Sequence, residues 1–147
     1  MLLIDVGAYD DCFIGDGFHN KENHPSGDSV RWTSGSAIVR IPCFRPENKM
    51  KIGIRAWGPL SGAGAKTTVI FFNDQRIGEF EAKPEVMNEY SVEVPEGIIF
   101  EGFNELKLAV WPWRPADVGK SSDKRELGIL LDSITINYDD SENESDD

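Results

Sequence analysis

Val92-Glu93-Val94-Pro95-Glu96-Gly97, and then Gly102-Phe103-Asn104-Glu105-Leu106-Lys107-Leu108, decide the fold. The first stretch alternates apolar and charged residues, the period of two that a half-buried strand requires, and stops at a Pro-Glu-Gly turn. The second launches from a Gly-Phe-Asn turn into another alternating strand, Glu105 to Trp111, with Leu106, Leu108 and Val110 on one face and Lys107, Ala109 and Trp111 on the other.

The same grammar extends in both directions. Lys49 to Trp57 places Met50, Ile52, Ile54 and Ala56 on one face and Lys49, Lys51, Gly53, Arg55 and Trp57 on the other. Thr67 to Phe72 is β-branched and aromatic; the turn pair Asn73-Asp74 and the return Ile77-Gly78-Glu79-Phe80 complete a hairpin. Val30 to Thr33, Ser34-Gly35 and Ser36 to Ile41 read as a second hairpin, closed by Pro42. Leu127 to Tyr138 is a long last strand. Its apolar phase changes from odd positions (Leu127, Ile129, Leu131) to even ones (Ile134, Ile136, Tyr138), which places a bulge near Asp132. Leu2 to Val6, Phe13 to His19 and Glu89 to Val94 complete the set. No stretch has helical periodicity. About nine or ten short strands separated by Gly/Pro turns make an all-β antiparallel sandwich or barrel.

The 147 residues make one domain by length. The strands occupy 1–138. The segment 139–147, almost wholly Asp, Glu, Ser and Asn, cannot bury apolar surface and is expected to be disordered. Asn143-Glu144-Ser145 within it matches a glycosylation acceptor by chance composition. The net charge of −11 argues against nucleic acid and anionic membrane surfaces as partners. No apolar run approaches the roughly 18 residues of a membrane span, and Asp5 interrupts Met1-Leu2-Leu3-Ile4 before it makes a signal-peptide core. Cys12 and Cys43 have no metal or redox spacing and read as two free buried thiols in preference to a disulfide.

The hairpin at Asn73-Asp74, the strand ending in Val94-Pro95, the Gly102-x-Asn104-x-Leu106-x-Leu108 run and the long terminal strand, over residues 66–138, resemble the galactose-binding-like jelly roll of carbohydrate-binding modules. A second set, Asp11, Gly17-Phe18-His19, Glu22, Arg31-Trp32-Thr33 and Asp123-x-Arg125-Glu126-Leu127-Gly128, is similar to jelly-roll domains attached to bacterial carbohydrate-active and cell-surface proteins. The resemblance implies a lectin-like, non-catalytic module that binds a glycan, an extracellular or cell-surface setting and a larger multidomain parent. It also implies a structural calcium ion between an early loop, at Asp10 or Asp11, and Asp132 of the last strand.

The residues themselves offer a sugar site. Apolar C–H faces of sugars stack on flat rings while hydroxyls need planar polar partners, so Trp beside Arg, Asp, Glu, Asn or His is the expected pattern. Trp57 beside Arg55, Trp32 beside Arg31, and Trp111-Pro112-Trp113-Arg114-Pro115 have it. Each of these rings serves either as a stacking face or as core filler. The polar group Asp10, Asp11, His19, Asn20, Glu22 and His24 reads as hydroxyl-binding, metal-binding, or a solvated loop tied to Arg31. His19 and Glu22 have a zinc-like spacing for a helix, but the segment is not helical, and two histidines are too few for a cupin. Glu22, Arg31 and Arg125 are expected to close the N-terminal loop in one charge network, Arg125 pairing with Asp11 or Glu22.

No nucleophile elbow, phosphate-binding loop or dinucleotide fingerprint is present. With 26 acidic residues, carboxylate pairs arise by chance and do not identify a glycosidase. Two alternatives to the glycan-binding module remain: a structural or protein-binding sandwich with core tryptophans, and a carboxylate- or metal-dependent polysaccharide-processing enzyme.

Overall fold

The computed structural model describes residues 1–119 and 121–139. Ten strands form two antiparallel sheets. They are β1 (Leu2–Asp5), β2 (Phe18–Asn23), β3 (Ser29–Thr33), β4 (Ser36–Cys43), β5 (Lys49–Trp57), β6 (Lys66–Phe72), β7 (Gln75–Ala82), β8 (Met87–Val94), β9 (Gly102–Val110) and β10 (Leu130–Asp139). One sheet runs β2-β3-β10-β5-β8, with β1 also paired to β10; the other runs β4-β9-β6-β7. The inward phases anticipated for β5 and β9 are the buried ones. Met50, Ile52, Ile54 and Ala56 meet Leu106, Leu108, Ile70 and Phe72 in the main core between the sheets. The antiparallel sandwich is therefore as expected, and helical structure among the described residues is limited to two 3-10 turns, Ser61–Ala63 and Pro115–Val118.

The Asn73-Asp74 turn has both residues at positive φ, 47° and 68°, the combination a two-residue hairpin between twisted strands favours. The pairing register of β10 against β5 shifts between Leu131 and Ser133. Asp132 is thus the extra residue of a bulge, and it restores the inward phase for Ile134 and Ile136.

Three sequence expectations change. β3 and β4 do not form a hairpin: β3 pairs with β2 and β10, and β4 with β9. Ser34-Gly35 instead carries the chain from one sheet to the other, as a sandwich connection must. Pro42 lies inside β4 rather than ending it. This is tolerated because β4 is an edge strand, where a missing N–H can face away from the ladder. The strand expected over Phe13 to His19 runs over Phe18–Asn23; Ile14 makes only an isolated bridge to Val39. The glycosylation-acceptor match and the acidic segment lie outside the described residues, apart from Asp139, which pairs with Lys49 in the sheet.

A second apolar cluster sits at one end of the six-stranded sheet. Val30, Trp32, Leu130, Leu127 and Trp113 are buried there, with Trp57, Leu60, Ala63 and Val118 packed against them. Leu130 stands in register with both Trp57 and Trp32. The irregular segments after β5 and β9 supply Leu60, Ala63, Trp113 and Val118, so these loops cover that end of the sheet.

Candidate functional site

The polar phase of β5 gives the sheet an outward face whose rungs follow from the register. Arg55 stands between Ser133 of β10 and Glu89 of β8; Gly53 stands between Thr135 and Ser91; Lys51 stands between Asn137 and Glu93. The middle rung is small. A Cβ built at Gly53 would lie 2.5 Å from Thr135 Oγ1, so a larger residue would force the Thr135 side chain to move, and glycine keeps the floor low. Lys51, Gly53, Glu89, Tyr90, Ser91, Thr135 and Asn137 line a cavity of about 230 Å³. The sequence reading placed Gly53 on this face but named only Arg55 and Trp57 as site residues, and it missed Ser91 and Thr135. Their signal was the shared phase of these positions, which only the pairing of three strands converts into one surface.

At one end of that face stands Trp57, next along the outward phase from Arg55. Its ring is half-buried. It meets Trp32 at 6.1 Å and 63° and takes the edge of His24 at 5.3 Å and 69°. Trp32 in turn meets Trp113 at 5.5 Å and 75°. These edge-to-face contacts are the favoured geometry of aromatic pairs, and they fix the Trp57 ring in place.

The same contacts correct the expectation for Trp32 and Trp113 as stacking rings. They are only 8% and 6% exposed. Trp113 also donates Nε1–H to the Gly128 carbonyl at 2.9 Å, and its backbone exchanges two hydrogen bonds with Leu127. A ring so enclosed has no face for a sugar. Trp111, its neighbour but one, is 81% exposed, in the outward phase of β9. Arg114 lies at the surface and pairs with Glu126 at 3.0 Å.

Asp132 and Arg55 form an ion pair of 3.0 Å at the β10 bulge, with the arginine side chain part-exposed and the carboxylate nearly buried. Burial pushes the Asp132 carboxyl above its ordinary value, repulsion from Asp28 and Asp5 adds to this, and Arg55 only partly offsets it. Asp10 presents the opposite case. Arg31 grips both its oxygens, at 2.8 and 3.2 Å, and the Gly7 amide donates to Oδ2. Burial works to raise the Asp10 carboxyl, but these hydrogen bonds and the Arg31 charge together hold it below its ordinary value.

The expected charge network is therefore divided. Arg31 pairs with Asp10 rather than with Glu22, and its third contact is to the His19 carbonyl. Arg125 forks onto Asp123 at 2.7–3.1 Å and reaches Glu22 at 3.5 Å; no contact to Asp11 is made. His19 Nε2 faces the Glu126 carbonyl at 2.8 Å. Glu22 and Arg125 are exposed, and this part of the network lies on a solvated edge.

Of the calcium ligands implied by the resemblance, Asp10 or Asp11 with Asp132, two are already held in ion pairs. Asp10 and Asp132 are each engaged by an arginine, and a hard divalent ion needs free oxygens, roughly six to eight of them. Among the described residues no three His, Cys, Asp or Glu side chains gather as a metal-binding group.

No protein-family model and no curated protein matches the chain. Solved structures do. A family 35 carbohydrate-binding module from an environmental isolate aligns with a TM-score of 0.63 at 15% identity, covering 93% of each chain. A family 36 module, in complex with calcium and xylotriose, aligns at 0.53 and 15%, over 93% of this chain and all of that one. The Podospora anserina mannanase that carries a family 35 module aligns at 0.56 and 14%; the match covers 95% of this chain but 28% of the mannanase. At these identities the likeness establishes the fold, a jelly-roll sandwich of the kind carbohydrate-binding modules use.

Proposed function

We propose that the protein is a non-catalytic glycan-binding module, attached to a larger protein, which holds a saccharide chain along the outward face of its six-stranded sheet. One observation carries the reading: a half-buried indole, Trp57, and the Arg55–Asp132 ion pair stand on the same outward face as a polar cavity lined by Lys51, Glu89, Ser91, Thr135 and Asn137. Rings and planar hydrogen-bonding groups on one face are what an oligosaccharide requires. Trp57 would stack on the C–H face of one sugar unit. Arg55 and Asp132 would bond the hydroxyls of the next, and small residues beneath would let the chain lie close to the backbone. Arg114, His19 and Glu22 would serve as outlying contacts, whereas Trp111, in the outward phase of the other sheet, would not. The shared fold with carbohydrate-binding modules supports the reading.

Affinity electrophoresis and calorimetry against soluble xylan, mannan and β-1,3-galactan test it. Binding of at least one is expected, and Trp57→Ala should weaken it by about 1–3 kcal/mol, the size of a lost stacked ring by analogy with nucleobases. No binding by the wild type would remove the proposal. Release of reducing ends that depends on a single carboxylate would replace it with the enzyme reading.

The exposed side chains of Phe44, Phe100, Phe103 and Trp111 favour one second reading, a protein-binding sandwich. Glycan-independent capture of the parent's own catalytic domain, lost with Phe103→Ser or Trp111→Ser, would establish it.

A further inference from the structure

The loop between β1 and β2 holds a feature that the core does not explain. Tyr9 has a positive φ of 55°, in the left-handed region that bulky residues rarely adopt. Its ring is fully exposed, so no apolar burial offsets the strain. The conformation is imposed from both sides. Ala8 N donates to the Asp5 carbonyl, Gly7 N donates to the Asp10 carboxylate, and the amides of Phe13 and Ile14 donate to the Asp10 carbonyl. Arg31 clamps the Asp10 side chain from β3. A rigid loop therefore displays an aromatic ring to solvent.

Tyr9 forms part of the lining of a cavity of about 640 Å³, together with Asp11, Asn20, Lys21 and Arg31. Asn20 comes from the stretch of β2 where its register against β3 shifts, between Phe18 and Lys21. Bulges of this kind re-aim side chains beside sites. The wall thus combines one flat ring, an amide that donates and accepts, an ammonium donor and a carboxylate acceptor. Strain kept at an exposed ring, beside groups that match vicinal hydroxyls, is the signature of a site rather than of packing.

We propose that the Tyr9 cavity is a second saccharide subsite, taking a neutral sugar unit stacked on Tyr9 and hydrogen-bonded by Asn20, Lys21 and Asp11. Neutrality follows from the wall, where Lys21 and Arg31 balance Asp10 and Asp11, and from the −11 net charge, which opposes an anionic glycan. The inference extends the glycan-binding reading, and its site shares no residue with the Trp57 face.

The test is amide-resolved NMR titration of the full chain with xylotriose, mannotriose and β-1,3-galactotriose, and with trigalacturonate as the anionic control. At least one neutral sugar should shift residues 8–11 and 20–21 saturably, and trigalacturonate should not. Tyr9→Phe should retain that site, and Tyr9→Gly should lose about tenfold or more in affinity there. Because glycine tolerates positive φ, Tyr9→Gly should melt at an equal or higher temperature than the wild type. Shifts at 8–11 that vanish in Tyr9→Gly but persist in Trp57→Ala would sustain this site even if the Trp57 face were silent. Shifts confined to Gly53, Arg55, Trp57 and Thr135 would overturn it and leave the first reading standing. Silence at residues 8–11 with every probe, shifts there with trigalacturonate alone, or a lower melting temperature for Tyr9→Gly, would also overturn it.

Discussion

Two aspartate–arginine pairs of similar length do different work. In the Asp10–Arg31 pair the distance is 2.8 Å and the side chains are 2% and 14% exposed; in the Asp132–Arg55 pair it is 3.0 Å, with 10% and 43% exposed. Asp10 is gripped at both oxygens and receives a backbone amide, and its carboxyl is held below the ordinary value. Asp132 is buried beside two other carboxylates and is pushed above it, with a part-exposed arginine as its counterion. Distance alone therefore does not rank an ion pair. The number of hydrogen bonds to the charged form, set against the cost of burying it, does. The first pair clamps the β1–β2 loop to β3. The second stands on the polar face, with the Arg55 side chain 43% exposed.

The largest expected effect comes from breaking the clamp. Asp10→Ala leaves the Arg31 charge enclosed without its partner and should cost about 3–5 kcal/mol in denaturant melts. Asp132→Ala, by contrast, leaves an arginine that water can reach and should cost no more than about 1 kcal/mol. Equal losses would erase the distinction. A similar loss, roughly 3–5 kcal/mol, is expected for Trp113→Ala, because its ring fills the second apolar cluster.

The pH dependence sharpens the contrast, since the two carboxyls shift in opposite directions. The folded pKa of Asp10 lies below the unfolded value of 3.8, so its contribution is full above that value and is lost as pH falls through the folded one. The folded pKa of Asp132 lies above 3.8, so its charge weighs against folding above that raised pKa and the burden lifts as pH falls toward 3.8. Asp10→Asn should therefore flatten the acid limb of the stability profile below about pH 4. Asp132→Asn should be slightly more stable than the wild type at pH 7, with the gap closing toward pH 4. Melts across that range check both signs.

The smallest effect concerns the exposed edge. Glu22 and Arg125 stand 3.5 Å apart and are 42% and 40% exposed, so a double-mutant cycle should find a coupling of about 0–1 kcal/mol. The same cycle on Asp10 and Arg31 should exceed it severalfold. A larger coupling at Glu22 would join the edge to the clamp as one network.

Much of the fold was legible because period-two alternation is local information. Met50, Ile52, Ile54 and Ala56 declare an inward face without knowing their partners, and the phase change around Asp132 declares a bulge. Local signals failed where the answer depended on which strands meet. Ser34-Gly35 looks the same whether the chain turns back into a hairpin or crosses to the other sheet, and the cross-over was settled by the pairing of β3 with β10 and β4 with β9. Trp57 and Arg55 were legible as a polar-phase pair. Trp113 was not legible as core, because its enclosure depends on Leu127, Leu130 and Trp32, which lie elsewhere in the chain.

The amino-acid sequence by itself determined the strand content, the inward phase of β5, β9 and β10, the Asn73-Asp74 turn and the acidic balance, since each rests on the character of near neighbours. Only the tertiary structure decided which aromatic rings are enclosed, that Arg31 takes Asp10 and leaves Glu22 to Arg125, and that Gly53, Ser91 and Thr135 form one floor. Those outcomes depend on distances across strands remote in sequence, where burial and register, rather than residue type, select the partner.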